Sequence, residues 1–243
     1  MRTLWIVLIN LLLTWVSFAQ MSQGVITYER SINLWKKYSF IEDHKKWFPD
    51  KEKYRKDIFE LHFNDTVSVF FPTIETSEND WTANCNTVVN YFNRNWTESK
   101  LYYLGDMINV NDSLIERKWK ITDKWRKIAD YDCRQAVCYF NDSTRIYAWF
   151  TTAVQPSVGP ESYWNLPGAI LGLATEDGSV TYFATKVESK PLEWVNVKQR
   201  FNSKKAKTRQ EVLMNIEGKM PSKMKAGDYN TYLRKAIRDF LMW

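Results

Sequence analysis

Short stretches of alternating apolar and polar residues follow one another along most of the chain. Residues 24–31 (GVITYERS) are the first, and period-two alternation is typical of a half-buried β-strand. Similar runs occupy residues 58–64, 66–72, 100–104, 107–110, 114–119, 125–131, 133–140, 144–152, 169–174, 180–187 and 194–201. This repetition predicts a mainly β fold, an antiparallel meander that forms a curved sheet or an open half-barrel.

Polar turn signals separate neighbouring runs. Asn64-Asp65, Gly105-Asp106, Thr122-Asp123 and residues 141–143 each predict a hairpin turn. The clearest signal is in residues 176–179, since Asp-Gly favours the tight turns that join antiparallel strands.

Three regions do not fit the strand pattern. Residues 34–56 are charged and aromatic, and we expect the first strand to continue into a mobile or helical insertion there. Residues 73–95 are polar and predict a long loop. Residues 208–216 and 228–240 have helical periodicity, which adds one or two helices in a C-terminal tail that begins at about residue 203.

The first 19 residues resemble a targeting segment. Arg2 precedes an apolar run from Leu4 to Val16, and Ser17 and Ala19 are the small residues that a secretory signal peptidase requires before Gln20. We therefore expect residues 1–19 to be a signal peptide and residues 20–243 to form a single exported domain. No later run reaches the roughly 18 apolar residues of a transmembrane helix.

The most unusual connection lies between the predicted strands 144–152 and 169–174. It contains Pro156, Gly159 and Pro160, and its length exceeds that of ordinary connections, which favours a functional role. Pro167 and Gly168 together predict a turn, because Pro fixes φ and Gly accepts positive φ. One interpretation is structural, with Trp149, Tyr163 and Trp164 packed over this turn.

The other interpretation is an exposed surface for a partner or ligand, because exposed aromatic residues often anchor interfaces. The candidate binding residues are Trp149, Pro160, Tyr163, Trp164, Leu166, Pro167 and Gly168.

Three cysteines accompany the predicted export. Cys133 and Cys138 are five residues apart, so on an extended strand they point to opposite faces and a bridge between them needs a turn or bulge. Either could pair with Cys85 instead. Disulfide formation, buried free thiols and metal binding all remain open, although His44 and His62 lack metal-ligand spacing and we predict no metal site.

The sequence offers little catalytic chemistry. No Gly-x-Ser-x-Gly motif or glycine-rich phosphate loop is present, and no cofactor is predicted. Asp130 and Asp132 share one strand face and could act with Glu161 as acid and base, but a solvated strand edge is the simpler interpretation.

Basic residues cluster towards the C-terminus and, in a secreted protein, predict a solvated face rather than a nucleic-acid site. They are Lys198, Arg200, Lys204, Lys205, Lys207 and Arg209.

Several segments together resemble the GLPGLI family of exported Bacteroidota proteins. They are residues 24–30 (GVITYER), 125–136 (WRKIADYDCRQA), 148–151 (AWFT) with Gly159-Pro160, and 165–171 (NLPGAIL). The last differs from the name-giving motif in Asn165 for Gly and Ala169 for Leu.

The resemblance implies a protein of the periplasm or the periplasmic face of the outer membrane, associated with outer-membrane transport. Its partner would be a transport protein, a peptide or an apolar ligand. The sequence thus favours a non-enzymatic binding or accessory protein over a carboxylate-dependent envelope hydrolase or a cysteine-based metal-binding protein.

Overall fold

The chain folds into one antiparallel sheet of eleven strands, seen in a computed structural model that describes residues 20–39, 43–73, 86–103, 106–139, 144–192 and 206–218. The sheet does not close. Its strands are β1 (Gly24–Asn33), β2 (Tyr54–Phe63), β3 (Val67–Pro72), β4 (Thr87–Tyr91), β5 (Trp96–Tyr103), β6 (Asp106–Ser113), β7 (Lys120–Ile128), β8 (Tyr131–Tyr139), β9 (Arg145–Thr151), β10 (Ala169–Thr175) and β11 (Val180–Glu188). The predicted mainly β class is confirmed.

The strand order joins two meanders. One runs from β1 to β6 and the other from β7 to β11, and the pairing of β1 with β11 makes them continuous, so the order is β6-β5-β4-β3-β2-β1-β11-β10-β9-β8-β7. β1 therefore lies in the middle of the sheet, and β6 and β7 form its two edges. Neighbouring strands are antiparallel throughout, as the short polar turns predict.

The described residues also form three short helices and two 3₁₀ turns outside the sheet. Helices α1 (Leu34–Lys37) and α2 (His44–Trp47) and a 3₁₀ turn at Asp50–Glu52 fall in the predicted insertion. Helix α3 (Arg209–Gly218) confirms the first predicted C-terminal helix, and the second 3₁₀ turn is Phe92–Arg94. The predicted strand at 194–201 and helix at 228–240 lie outside the described residues.

Three details of the prediction were wrong. Thr122-Asp123 does not reverse the chain but lies within β7, and the reversal comes at Ala129 and Asp130, both with positive φ. Residues 114–119 contain no regular strand, and the predicted loop 73–95 contains β4. Turn-forming residues also occur at bulges, so their identity alone does not locate a hairpin.

The main core consists of aromatic side chains from the central strands. Phe59 and Phe70 stack with ring centroids 4.8 Å apart, and Tyr182 meets both rings edge-on. Each fully buried aromatic of this kind contributes about 1.5–3 kcal/mol. A smaller cluster of Val67, Val69 and Val89 forms a second apolar group.

Candidate functional site

The connection between β9 and β10, residues 152–168, is the candidate site. We call it the interior loop because most of its apolar side chains are buried. Met21 anchors its start: the Met21 amide donates to the Ala153 carbonyl (3.1 Å), and the Gln155 amide donates to the Met21 carbonyl (2.9 Å). At its end the Ile170 amide donates to the Val158 carbonyl at 2.8 Å, so the loop continues the hydrogen bonding of β10.

Local turns determine the path of the interior loop. The Ser157 hydroxyl accepts hydrogen bonds from the amides of Asn165 (2.7 Å) and Leu166 (3.0 Å), which draws the two halves of the loop together. The Gly168 amide donates to the Leu166 carbonyl at 2.6 Å across Pro167, a three-residue turn. Gly168 has a φ of +140°, which confirms the predicted positive φ at this turn.

The loop is not the exposed aromatic surface considered as one interpretation. Tyr163 is fully buried, Pro160, Leu166 and Gly168 are also buried, and only Pro167 of the predicted binding residues in the loop is exposed. The loop lies inside because its tyrosine and aliphatic side chains complete the core of a sheet that does not close on itself. Whether any of these residues binds a ligand stays a prediction.

Residues 114–119 hold the half-buried Trp164 on the interior loop. The Trp164 indole donates to the Ile115 carbonyl, and the Trp119 indole donates to the Trp164 carbonyl, both at 2.8 Å. The Trp164 ring lies 5.7 Å from Phe92, and Trp119 lies 6.3 Å from Tyr163. Buried indole N–H groups need such partners, which explains why 114–119 runs across the loop instead of pairing as a strand.

Trp149 is not part of this cluster. In the sheet it pairs with Gly172 and Gln135, and its ring contacts Phe183 (5.8 Å) and the guanidinium of Arg126 (5.5 Å). Strand alternation places it on the face opposite to its buried neighbour Ala148. The expected grouping of Trp149 with Tyr163 and Trp164 was therefore wrong.

The interior loop contributes to a group of buried polar and charged residues, of which the sequence indicated only Glu161 as a candidate. We call Arg30, Asp57, Arg117, Glu161 and Tyr182 the buried polar cluster. Arg30 contacts Asp57 through Nη2–Oδ2 (2.7 Å) and Nε–Oδ2 (3.2 Å), and the Tyr182 hydroxyl donates to Glu161 Oε1. A buried charge is costly unless it is paired. These contacts therefore reduce the free-energy cost of burying polar and charged side chains in the core.

Arg117 fastens the loop from the other side. Its Nη1 donates to the Ser162 carbonyl (2.8 Å) and its Nη2 to the Ser162 hydroxyl (3.1 Å), and the guanidinium lies 3.9 Å from the centroid of the Tyr163 ring. Asn90 Nδ2 donates to the Glu161 carbonyl at 3.1 Å, which connects the loop to β4. Sequence patterns provided no sign of this role of Arg117, because its partner Ser162 lies 45 residues further along the chain.

Glu161 is the most unusual residue of the cluster. Its φ is +57°, and its Oε2 is buried without a hydrogen-bond partner among the described residues. Burial raises the pKa of Glu161, while the Tyr182 hydrogen bond and the charges of Arg30, Arg117 and Lys37 lower it, with burial prevailing. An uncharged carboxyl leaves a smaller desolvation cost on the unpaired oxygen, so the geometry agrees with the raised pKa.

Glu161→Gln is expected to abolish one part of the pH dependence of stability. The pKa of Glu161 is raised from its ordinary 4.5, so the folded state favours the proton, and stability falls as pH rises from about 4.5 through the folded-state pKa. Urea unfolding across this range should show the fall in the wild type and a flatter curve in the variant. Identical curves would contradict a raised pKa.

Two of the three cysteines lie in the described part of the chain. Cys133 and Cys138 are both buried and free on β8, and they do not form the disulfide that was one of the open predictions. Regular pairing of β8 with β9 from Arg134 to Tyr139 leaves no turn that would bring the two thiols together. Cys85 lies outside the described residues. Within the described ranges, no group of three or more His, Cys, Asp and Glu side chains is arranged to hold a metal ion.

Both thiols are expected to resist alkylation in the folded protein. Burial raises the pKa of Cys133 to about 12, with a further contribution from Asp132, and raises the pKa of Cys138 to about 11. The reactive species is the thiolate, so iodoacetamide at pH 8 should label neither residue until the chain is unfolded. Peptide mass mapping identifies the labelled residues, and rapid labelling of native Cys138 would refute its burial.

The carboxylates considered for catalysis are not brought together. Asp130 and Asp132 are exposed at the β7–β8 turn, whereas Glu161 is buried against Tyr182 on β11. His44 lies in α2 and His62 in β2, where its ring contacts Glu60 at 2.7 Å. No described helix is long and apolar enough to cross a membrane.

Comparison with known proteins gives a match to a family model over a short segment and a similarity in fold. A family model described as "Protein of unknown function (Porph_ging)" matches residues 139–172, which span β9, the interior loop and the start of β10. The match points to a family of Bacteroidota type. No curated protein matches the chain.

Two solved structures of PNGF-II share the fold. In the P21 crystal form the TM-score is 0.55 at 18% identity, covering 82% of this chain and 33% of that one. In the C2 form the TM-score is 0.51 at 18% identity, covering 88% and 33%. The chain therefore spans about a third of the PNGF-II chain. An uncharacterized conserved protein from Thermus thermophilus aligns over 77% of this chain and 90% of its own at 8% identity and a TM-score of 0.41.

Proposed function

We propose that the protein is an exported binding or accessory protein of the GLPGLI type, without enzymatic activity, that serves an outer-membrane transport system from the periplasmic side. The observation that carries this proposal is that side chains of the interior loop fill the interior of the sheet. The side chains best suited to chemistry, Glu161 and Arg117, bond to other parts of the same fold and hold the interior loop in place. Such an arrangement suits a rigid scaffold that presents its outer surface to a partner.

The alternative of a carboxylate-dependent hydrolase has less support. Glycosidases of that kind place two carboxyl groups about 5–10 Å apart across a substrate. Here the buried Glu161 would have to act with carboxylates at an exposed turn, Asp130 and Asp132. A cysteine-based metal site also has less support, because two thiols five residues apart on the strand β8 are expected to point to opposite faces of the sheet.

Native mass spectrometry of the mature protein, purified under mild conditions from the cell envelope of its own organism, tests the proposal. A binding or accessory protein is expected in the envelope fraction in a complex heavier than the mature chain, with the extra mass lost on denaturation. Recovery only as the bare chain, together with turnover of an envelope glycan or peptide, would favour the hydrolase instead.

A further inference from the structure

The two edges of the sheet differ in how they are covered. At β6 the chain itself returns: the Lys207 amide donates to the Asn109 carbonyl (2.9 Å) and the Asn111 amide to the Lys207 carbonyl (3.0 Å), just before α3. At β7, no strand of the described residues pairs with the side away from β8. Uncovered edges are where another chain can dock.

A bulge shapes the β7 edge. Lys120 and Ile121 pair with Val137 and Ala136, but pairing resumes only at Trp125 opposite Arg134. Three residues of β7, 122–124, therefore stand opposite Gln135 alone. Bulges at sheet edges redirect side chains and interrupt regular pairing, so a flat strand from another copy does not fit here.

Arg134 makes this bulge a fixed structure. Its Nε donates to the Thr122 carbonyl (2.8 Å), its Nη2 meets Asp123 Oδ1 (3.1 Å), and its guanidinium lies 5.9 Å from the Trp125 ring centroid. The Thr122 hydroxyl donates to Gln135 Oε1 at 3.1 Å. These contacts hold Trp125 on the edge, and its residue surface is 64% exposed.

The side chains around Trp125 are mostly positively charged, and most of these charges form no ion pair among the described residues. Lys120, Lys124 and Lys127 are exposed on β7, and among the described residues none of the three forms an ion pair. Asp123, the one acidic residue of β7, is already paired with Arg134. An exposed tryptophan flanked by free ammonium groups suits a partner that brings an apolar group and carboxylates.

We propose that the β7 edge, centred on Trp125 with Lys120, Lys124 and Lys127, docks an acidic segment of a partner protein. This inference rests on the proposed function and names the surface through which it acts. Trp125 supplies the apolar anchor, since tryptophan is enriched among residues that dominate interface energies. The lysines supply electrostatic complementarity, which speeds association and excludes basic partners.

A protein segment fits this edge better than an anionic membrane surface. Asp130 and Asp132 are exposed at the same hairpin, and Asp123 is exposed on the edge strand itself. These carboxylates would repel a continuous layer of anionic headgroups. A segment with discrete carboxylates can meet the lysines and avoid the aspartates.

Fluorescence anisotropy with a labelled peptide of alternating glutamate and leucine residues, which supplies both carboxylates and apolar groups, tests the docking site directly. Trp125→Ala should weaken binding about 30-fold, since a tryptophan hot spot is worth about 2 kcal/mol, and Lys120→Glu/Lys124→Glu/Lys127→Glu should abolish it. Trp96→Ala, at another exposed tryptophan, and Lys45→Glu/Lys46→Glu/Lys51→Glu, on the exposed insertion, are matched controls that should leave binding unchanged. Binding should weaken as NaCl is raised.

Several results would contradict the proposed docking site. They are equal binding by the β7 variants and the controls, binding to phosphatidylglycerol vesicles but not to the glutamate–leucine peptide, and no binding to that peptide at all. Formation of the envelope complex distinguishes failure of the site from failure of the function. If wild type and β7 variants form the complex equally, the docking site is wrong and the proposed function stands, whereas a wild type that forms no complex refutes the proposed function.

Discussion

Gly168→Ala is expected to destabilise the fold by about 2–5 kcal/mol, the sum of left-handed backbone strain of about 1–2 kcal/mol and overpacking of about 1–3 kcal/mol. Gly168 has a φ of +140°, and an added Cβ would lie 2.1 Å from the Thr151 carbonyl oxygen, a backbone atom that cannot move aside without shifting β9. The change therefore disturbs both ends of the interior loop. Urea or thermal unfolding of the purified variant measures the loss.

Gly178→Ala is the matched control. Gly178 also has a positive φ, of +65°, but its nearest neighbour would be the flexible end of Lys36 at 3.6 Å. The control should lose only the strain of the left-handed backbone, about 1–2 kcal/mol. Equal losses in the two variants would show that the close contact with Thr151 contributes nothing, contrary to our account of the interior loop.

Arg30→Met should cost about 3–5 kcal/mol, because it leaves Asp57 without its partner in a largely buried environment. Arg30 is 3% exposed and its Nη2 lies 2.7 Å from Asp57 Oδ2. The charge of Arg30 also lowers the pKa of Glu161, so the variant should raise that pKa further. Equilibrium unfolding in denaturant measures the first effect, and its pH dependence measures the second.

Two further variants separate charge pairing from packing. Lys56→Met removes the exposed ion pair with Glu29 on the same two strands, and it should cost less than about 1 kcal/mol. Arg30→Met/Asp57→Leu removes both partners and should recover much of the stability lost by Arg30→Met, because no unpaired charge remains. A double variant as unstable as the single one would assign the loss to packing around Arg30 instead.

The sheet could be predicted because its signals are local. The alternation in residues 24–31 and the Asp177-Gly178 turn each report a strand or a hairpin without reference to the rest of the chain, and both are found in β1 and in the β10–β11 connection. Thr122-Asp123 misled the prediction because the same residue types stabilise a bulge. There Arg134, twelve residues later, decides the outcome.

The interior could not be predicted because its contacts join distant parts of the chain. Arg30, Asp57, Arg117 and Glu161 lie in four separate segments and carry no common motif, and only the strand order brings them together. The interior loop was recognised as unusual, but aromatic and proline residues suit both an exposed surface and a buried plug. Which of the two forms depends on whether the curved sheet has space inside, which no local pattern reports.

The central claim is that the interior loop belongs to the core of the fold. Hydrogen exchange of the purified protein tests this claim directly. The amides of Tyr163, Ala169 and Ile170 donate to backbone carbonyls within or beside the loop, so they should exchange as slowly as the amides of β1, through global unfolding. Exchange as fast as that of the exposed insertion at 43–46 would contradict the claim.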